Sequence, residues 1–334
     1  LLEAGRAEEA IAAFRDALTL RPAFALAHLN LADALREQGR RTEAVAQLRL
    51  VVQADPELAE AHSNLGQLLA ERGERAEALE HGRRAVQLRP DFAEAHCNLG
   101  NILRDLGRLD EARRHYEEAL RRAPRNALIA ANLAQLLQEE GRLDEALSWY
   151  DRALALAPGS PRIRCRAAGA LAERDRPDDA AAHYEVALRL DPRCAEAHVG
   201  LGVVRHGRGR DAEAKAHLLA ALALKPDSAA AHHGLGVVLE ELGDLSGAEE
   251  RFRAALQHDP NHAGALVRLA TMLRGRLPGP DLEALRRLLD GPDQRDGRRA
   301  ALHFGLAQVL DGLGAYEEAA SQLDRANALA LGVG

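Results

Sequence analysis

The sequence predicts an all-α solenoid, because one 34-residue unit recurs along most of the 334 residues. Proline marks the period at one position of the unit, and alanine marks it at another. A strict period of this length indicates stacked supersecondary units, none of which buries its apolar face alone. The prolines are Pro22, Pro56, Pro90, Pro124, Pro158, Pro192, Pro226 and Pro260, and the alanines are Ala10, Ala44, Ala78, Ala112, Ala146, Ala180, Ala214 and Ala248.

The unit at residues 59–92 shows two helices. Apolar and small residues recur at helical spacing in both of its halves. Gly73 lies between the halves and readily takes a left-handed cap conformation. Pro90 ends the second helix because it lacks a backbone donor. The stripe residues are Ala61, Leu65, Leu68 and Leu69 in the first helix, and Ala78, Gly82, Ala85 and Val86 in the second.

These positions resemble the tetratricopeptide repeat (TPR) family, and the resemblance covers almost the whole chain. It implies a right-handed superhelical solenoid whose concave groove binds proteins or peptides. The aromatic residue expected early in the first helix is usually histidine here. The matching residues are Leu65, Gly66, Leu69, Ala78, Ala85 and Pro90 in one unit, and Leu99, Gly100, Leu103, Ala112, Tyr116, Ala119 and Pro124 in the next.

The period divides the chain into four parts. Residues 1–24 are a partial unit, residues 25–262 are seven regular units, residues 263–299 are an irregular unit with an insertion, and residues 300–334 are a terminal unit. Asp175 replaces the usual turn glycine, and Pro158 to Pro161 form a stiffer junction. In the irregular unit, Asp281 is predicted to cap a helix and Gly291 to Gly297 to form a polar loop. Leu1 lies inside a repeat and the last residues are apolar, so we expect a piece of a longer protein.

Composition and charge exclude several classes of function. The net charge is -7 and no stretch is strongly basic, which argues against nucleic acid as a partner. No apolar run approaches the ~20 residues of a membrane-spanning helix, and no signal peptide is visible. Cys97, Cys165 and Cys194 are odd in number and far apart in sequence, which predicts free thiols. We therefore expect a cytoplasmic protein with no cofactor and no membrane association.

The first helices carry a row of asparagines. Asn30, Asn64, Asn98 and Asn132 occupy the same position in four successive units. In the unit at Ala59, Ser63 is predicted to lie on the exposed face opposite the core stripe, and Asn64 at its edge. Amides there could hold the backbone of an extended peptide, or they could bond a neighbouring helix and fix the stacking. Asn101 and Gln135 extend the predicted groove surface.

The second half of the predicted groove differs, because glycine, valine and arginine replace the amides. Arg162 and Arg166 share a helix face, since they are four residues apart. With Asn132 and Asn101, they resemble the carboxylate clamp of Hsp-organising cochaperones, which grips a C-terminal carboxylate. Cys97 stands where that motif has a lysine. A clamp of this kind is one alternative function.

A second alternative is an enzyme's substrate-recruiting arm. The irregular unit and the Leu302-His303-Phe304 stretch resemble the junction that precedes the sulfotransferase domain of some bacterial TPR proteins. The regular units, with starts such as His96-Cys97-Asn98, resemble the repeats of O-GlcNAc transferases. The chain contains no phosphate loop, nucleophile elbow or zinc-protease motif. We therefore predict a non-catalytic chain.

The recurring histidines do not predict a metal site. His28, His62 and His96 are one unit apart, and packed helices lie ~8–10 Å apart, which is too far for one shared ion. We expect them to fill the space between helices. The main prediction is a protein-interaction scaffold that binds an extended peptide through Asn30, Asn64, Asn98, Asn101, Asn132, Gln135, Arg162 and Arg166.

Overall fold

A computed structural model describes residues 7–21, 24–291 and 296–331. Pro22, the centre of the predicted loop from Gly291 to Gly297, and the last three residues lie outside the described residues. Every regular element in the described ranges is helical. The chain divides into two compact units, Leu1–Pro158 and Gly159–Gly334, at the predicted proline junction.

The first unit is a series of helical hairpins. A glycine ends each turn between paired helices, as the positive φ of Gly73, Gly107 and Gly141 shows. First helices contact the first helices of adjacent repeats as well as their own partners. The helices are α1 (Ala7–Leu20), α2 (Ala25–Glu37), α3 (Arg41–Ala54), α4 (Ala59–Glu71), α5 (Arg75–Leu88), α6 (Ala93–Asp105), α7 (Leu109–Arg122), α8 (Ala127–Glu139) and α9 (Leu143–Leu156).

The second unit begins with three regular hairpins and then departs from the pattern. Asp175 takes the left-handed conformation with a φ of 59°, which confirms its place as the turn residue. The helices are α10 (Pro161–Glu173), α11 (Pro177–Leu190), α12 (Ala195–Gly207), α13 (Asp211–Leu224), α14 (Ala229–Glu241), α15 (Leu245–His258), α16 (Ala263–Leu273), α17 (Gly279–Asp290), α18 (Asp296–Gly312) and α19 (Tyr316–Leu331), with a 3-10 turn at Arg274–Arg276.

The irregular region differs from its prediction in two details. Helix α17 begins at Gly279 rather than after Asp281, and its N-cap residue, Pro278, makes no side-chain cap hydrogen bond. Asp281 therefore lies inside the first turn, where a carboxylate favours the positive end of the helix dipole. Helix α18 begins at Asp296, four residues before the predicted start at Ala300.

The periodic alanine is completely buried from Ala44 to Ala248. Ala44, Ala78, Ala112, Ala146, Ala180, Ala214 and Ala248 all have 0% exposed surface. A residue without a long side chain lets the two helices of a hairpin approach closely. Tyr116, Tyr150 and Phe252 are the largest fully buried side chains, and the Tyr116 and Phe252 rings lie against Gly100 and Gly236. The core thus requires small and large residues at fixed repeat positions.

Candidate functional site

Two asparagines of the predicted groove are buried and hydrogen-bonded between repeats. The Asn98 Nδ2 atom donates to the Ser63 Oγ atom at 3.0 Å. The Asn132 Nδ2 atom donates to the Cys97 Sγ atom at 3.4 Å and to the Asn101 Oδ1 atom at 3.3 Å. Asn98 and Asn132 are only 7% and 6% exposed. For these two residues the geometry favours the stacking role over the groove role.

The predicted exposure of Ser63 is wrong, because its side chain is completely buried. Helix α4 packs against α6, so the fifth position of one first helix faces the sixth position of the next. The sequence carries a signal for this contact. Ser63 and Asn98 are 35 residues apart, as are Cys97 and Asn132. A polar pair at the repeat length plus one therefore indicates a bond between successive first helices.

The other four amides of the predicted groove are half-buried. The Asn101 Oδ1 atom accepts a hydrogen bond from the Tyr116 hydroxyl at 2.7 Å. The Gln135 Nε2 atom donates to the Glu139 carboxylate at 3.3 Å, while its Oε1 atom is buried without a partner. Asn30 and Asn64 keep part of their surface exposed. These four residues, rather than the buried pair, are the amides that a ligand could reach.

The two predicted clamp arginines lie on α10 in the second unit. Arg162 is exposed and Arg166 is half-buried. Cys97, which stands at the lysine position of the clamp motif, is 5% exposed and accepts a hydrogen bond from Asn132. A carboxylate clamp therefore stays a prediction for the two arginines.

The second unit contains a cavity that sequence reasoning missed. Its volume is about 670 Å³. Every lining residue lies on α14, α16 or α18, which occupy first-helix positions, or on the loop before α16. The lining residues are His233, Asp259, Asn261, His262, Ala263, Gly264, Val267, Arg268, Thr271, Arg298, Ala301 and Phe304.

The cavity combines an apolar wall with a cationic edge. Phe304 is 43% exposed although it is a large aromatic residue, and Val267 is only partly buried beside it. Arg268 makes one ion pair, with Glu240 at 3.3 Å, and remains 47% exposed. Arg298 donates to the Asn261 carbonyl at 3.4 Å. Asp259 is the only acidic residue among the described residues of the lining, so the cavity suits an apolar group next to an anion.

The two histidines of this cavity are neutral near pH 7. Burial lowers the pKa of His233 to about 4, with the neighbouring His262 ring as the next cause. The His262 Nδ1 atom accepts a hydrogen bond from the Ala265 amide, so its proton is on Nε2. The His233 Nε2 atom is buried without a partner. Arg268 and Arg298 therefore supply the positive charge of the cavity.

The repeated histidines fill the space between the two helices of the hairpins that carry them, as predicted. The Nδ1 atoms of His62 and His81 are 2.8 Å apart. The His62 Nε2 atom lies 3.1 Å from the Pro56 carbonyl, which can only accept, so His62 carries its proton there. His81 must then donate its Nδ1 proton to His62. The same arrangement recurs at His96–His115 and His198–His217.

Neither a metal site nor a membrane span is found among the described residues. Within residues 7–21, 24–291 and 296–331, no three His, Cys, Asp or Glu side chains are grouped so that they could hold a metal ion. None of the helices in these ranges has the length and apolar character needed to cross a bilayer.

The structure changes the interpretation of the cysteines. Cys165 and Cys194 are far apart in sequence, but their Sγ atoms lie 3.8 Å apart in the second unit. All three cysteines are free thiols. The prediction of free thiols is therefore confirmed, although stacked repeats bring the fifth residue of this unit next to its last residue.

Comparison with protein families gives consistent matches along the chain. Models described as tetratricopeptide repeat match residues 97–161, 165–229, 1–68 and 229–262. A model described as TPR repeat matches residues 66–103. Together these matches cover more than half of the chain. No curated protein matches the chain.

Solved structures share the fold at low sequence identity. The Cut9-Hcn1 complex of APC/C aligns with a TM-score of 0.65 and 20% identity over 93% of this chain and 58% of that chain. A monomeric mutant of IFIT1 with Gppp-AAAA aligns with a TM-score of 0.63 and 19% identity over 91% of this chain and 71% of that one. PilF of Pseudomonas aeruginosa aligns with a TM-score of 0.53 and 20% identity over 66% of this chain and 96% of that one. These likenesses concern the fold alone.

Proposed function

Because the chain belongs to the tetratricopeptide repeat family, we propose that it is a protein-interaction scaffold that binds an extended peptide on its first-helix face. The observation that carries this proposal is the cavity of about 670 Å³ on α14, α16 and α18. The size of the cavity falls within the range of ligand pockets, and the partly exposed Phe304 side chain forms part of its wall. An exposed apolar patch with a polar edge is typical of an interaction site.

The chemistry of the cavity selects one kind of peptide. The apolar wall at Val267 and Phe304 would bury an aliphatic or aromatic side chain. Arg268 and Arg298 would bind a carboxylate next to that side chain, because arginine presents paired donors in a geometry that matches carboxylate oxygens. The preferred segment is therefore an apolar residue flanked by Asp, Glu or the peptide's own C-terminus.

The accessible amides support a second set of contacts within the first unit. Asn30, Asn64, Asn101 and Gln135 would bond the backbone of a peptide, since each amide has both a donor and an acceptor. Such contacts do not depend on the peptide's side chains. Asn98 and Asn132 would contribute by holding the helices that carry these residues.

A display selection followed by binding measurements tests the proposal. Random peptides are selected on the full chain, and the affinity of the enriched peptides is measured by fluorescence anisotropy. We expect apolar-acidic sequences, and Phe304→Asp should weaken their binding at least tenfold, since buried aromatic anchors dominate such interfaces. The matched control is Leu242→Asp, because Leu242 is 55% exposed and does not line the cavity. Equal losses in both variants, or no loss in either, would overturn the proposal.

Two further candidate functions rest on the resemblances of the sequence. For the carboxylate clamp, peptides with a free C-terminus should bind more tightly than their amidated forms, and Arg166→Ala should remove the difference. For the substrate-recruiting arm of a sulfotransferase or an O-GlcNAc-like transferase, the irregular region at α17 is the supporting feature. A gene sequence without a transferase domain beyond Gly334 would reject it.

A further inference from the structure

Cys165 and Cys194 form a pair of thiols between α10 and the start of α12 in the second unit. Cys165 lies in the first turns of α10 and is 2% exposed. Cys194 is the N-cap residue of α12 and is half-buried. Their Sγ atoms are 3.8 Å apart. We propose that this pair is a site of reversible disulfide modification, which a small disulfide of the glutathione type oxidises.

The fold of the repeat brings these two positions into contact, and it does so for residues other than cysteine as well. Cys165 and Cys194 are 29 residues apart. His233 and His262 occupy the same two repeat positions, and their ring centroids are 4.8 Å apart. The fold therefore brings these positions together in more than one repeat. At Cys97 the equivalent partner is Asn126, whose side chain caps α8 instead, so the repeat of Cys97 offers no second thiol at that position.

The distance is short enough for a bond after a small rearrangement. A disulfide requires a sulfur separation of ~2.05 Å. The two sulfur atoms must therefore approach by somewhat less than 2 Å from 3.8 Å. The buried Tyr184 ring is close enough that Cys165 contributes to raising the pKa of its hydroxyl, second to burial.

The two thiols differ in accessibility, which sets the order of reaction. Burial raises the pKa of Cys165, with the nearby Cys194 thiol and the carboxylates of Glu196 and Asp191 adding to the effect. The half-exposed Cys194 is therefore the thiol that meets a reagent from solvent. Its position at the start of α12 places the thiolate at the positive end of a helix dipole.

The reaction balances with a small disulfide as the oxidant. The Cys194 thiolate attacks one sulfur of the small disulfide, whose sulfur–sulfur bond breaks and releases one small thiolate. Cys165 then loses its proton to that leaving thiolate and attacks the Cys194 sulfur, which expels the second small thiol. Two protein thiols are oxidised to one disulfide, and one small disulfide is reduced to two thiols.

The bond would join α10 to the start of α12 and enclose α11 in a covalent ring. Arg162 and Arg166 lie on the same helix as Cys165, so the oxidised form would hold the predicted clamp residues on a fixed helix. A cross-link of this kind mainly restricts the unfolded chain. We expect the oxidised protein to melt roughly 5 °C higher than the reduced protein.

The test uses the full chain, reduced and then incubated with oxidised glutathione. Free thiols are alkylated, and intact mass and peptide mapping locate every modification. We expect a monomer that has lost two hydrogens, with a Cys165–Cys194 disulfide and an alkylated Cys97. Cys97→Ser should react in the same way as the wild type. Cys165→Ser should stop at a glutathione adduct on Cys194, and Cys194→Ser should remain unmodified over the same time.

Three results would overturn the proposal. The first is a wild-type protein that stops at the Cys194 adduct as Cys165→Ser does. The second is a disulfide between chains, and the third is Cys97 reacting as fast as Cys194. An oxidised monomer that melts lower than the reduced one would show that the bond distorts the fold, and it would also reject a native modification site.

Discussion

The first-helix faces of the two compact units use the same repeat positions differently. In the first unit, the sixth position carries Asn98 and Asn132, which bond the preceding repeat. In the second unit, the same position carries Gly200 and Gly234, which leave room for a large side chain instead. Both solutions hold neighbouring helices together. These four residues therefore serve helix stacking, whereas Asn30, Asn64 and Arg268 at the same repeat position keep exposed surface that a ligand could reach.

The largest effect is expected at Gly200. A Cβ atom added there would lie 2.1 Å from the Cζ atom of Tyr184, a ring that is 7% exposed and has little freedom to move. Gly200→Ala should lower the free energy of unfolding by about 3 kcal/mol, because overpacked cores cost about that much. Urea denaturation followed by circular dichroism measures the change.

Gly207 on the same helix is the matched control. It is exposed, and no atom lies within 4 Å of an added Cβ. Gly207→Ala should change stability by no more than about 1 kcal/mol, and in the stabilising direction, since alanine favours helices over glycine. Equal destabilisation by the two substitutions would show that Gly200 is not a packing position.

A smaller effect is expected from loss of the hydrogen bond between Asn98 and Ser63 in the first unit. Asn98→Ala should lower the free energy of unfolding by about 1–2 kcal/mol, because it leaves the fully buried Ser63 hydroxyl without its partner. Asn64→Ala is the control, since Asn64 is half-buried and keeps access to water. Its effect should stay within about 0.5 kcal/mol.

A double-mutant cycle sharpens this result. Ser63→Ala combined with Asn98→Ala should cost less than the sum of the two single substitutions, because the double variant leaves neither polar group unpaired. Strict additivity would mean that the bond contributes nothing to stacking.

The smallest of the three effects concerns pH. Burial lowers the pKa of His62 and of His81, and the positive charge of His62 lowers that of His81 further. A lowered pKa in the folded state means that stability is complete above the unfolded value of ~6.5 and is lost as the pH falls below it. The unfolding free energy should therefore decrease on acidification from neutral pH.

His81→Gln isolates the contribution of one pair. The natural His28–Gln47 pair shows that glutamine fits this position, with a 2.7 Å contact to the histidine. The charged groups around His62 and His81 are Glu57 and Arg84 on one side, and Glu77, Glu80 and Arg49 on the other. All of them remain in the variant. Its stability should fall less steeply with pH than that of the wild type, and an unchanged slope would place the acid sensitivity elsewhere.

Most of the fold could be predicted from the sequence, because the period fixes the helices and the turns. The positive φ of Gly73 and of Asp175 follows directly from the repeat position. The irregular region could be located but not described in detail, since no periodic residue indicates the start of α17 or α18. Packing decides those boundaries, and packing partners from an interrupted repeat are not visible in one sequence.

The candidate site was less predictable. Helical spacing alone placed Ser63 on an exposed face, because it describes one helix and ignores the next repeat that covers it. The cavity near Phe304 was missed for a related reason. It depends on Gly264 and Ala301 lacking long side chains while Val267 and Phe304 stand beside them. Such a combination of small and large side chains on two helices produces no motif in the linear sequence.

Hydrogen exchange of the full chain with and without a selected peptide tests the central claim most directly. Amides on a bound surface exchange more slowly, because the ligand stabilises the helices that it contacts. We expect the strongest new protection in α16 and α18, around Val267 and Phe304. Protection confined to α4, α6 and α8, with no change in α16 or α18, would contradict the account and place the principal binding surface on the amide-bearing face.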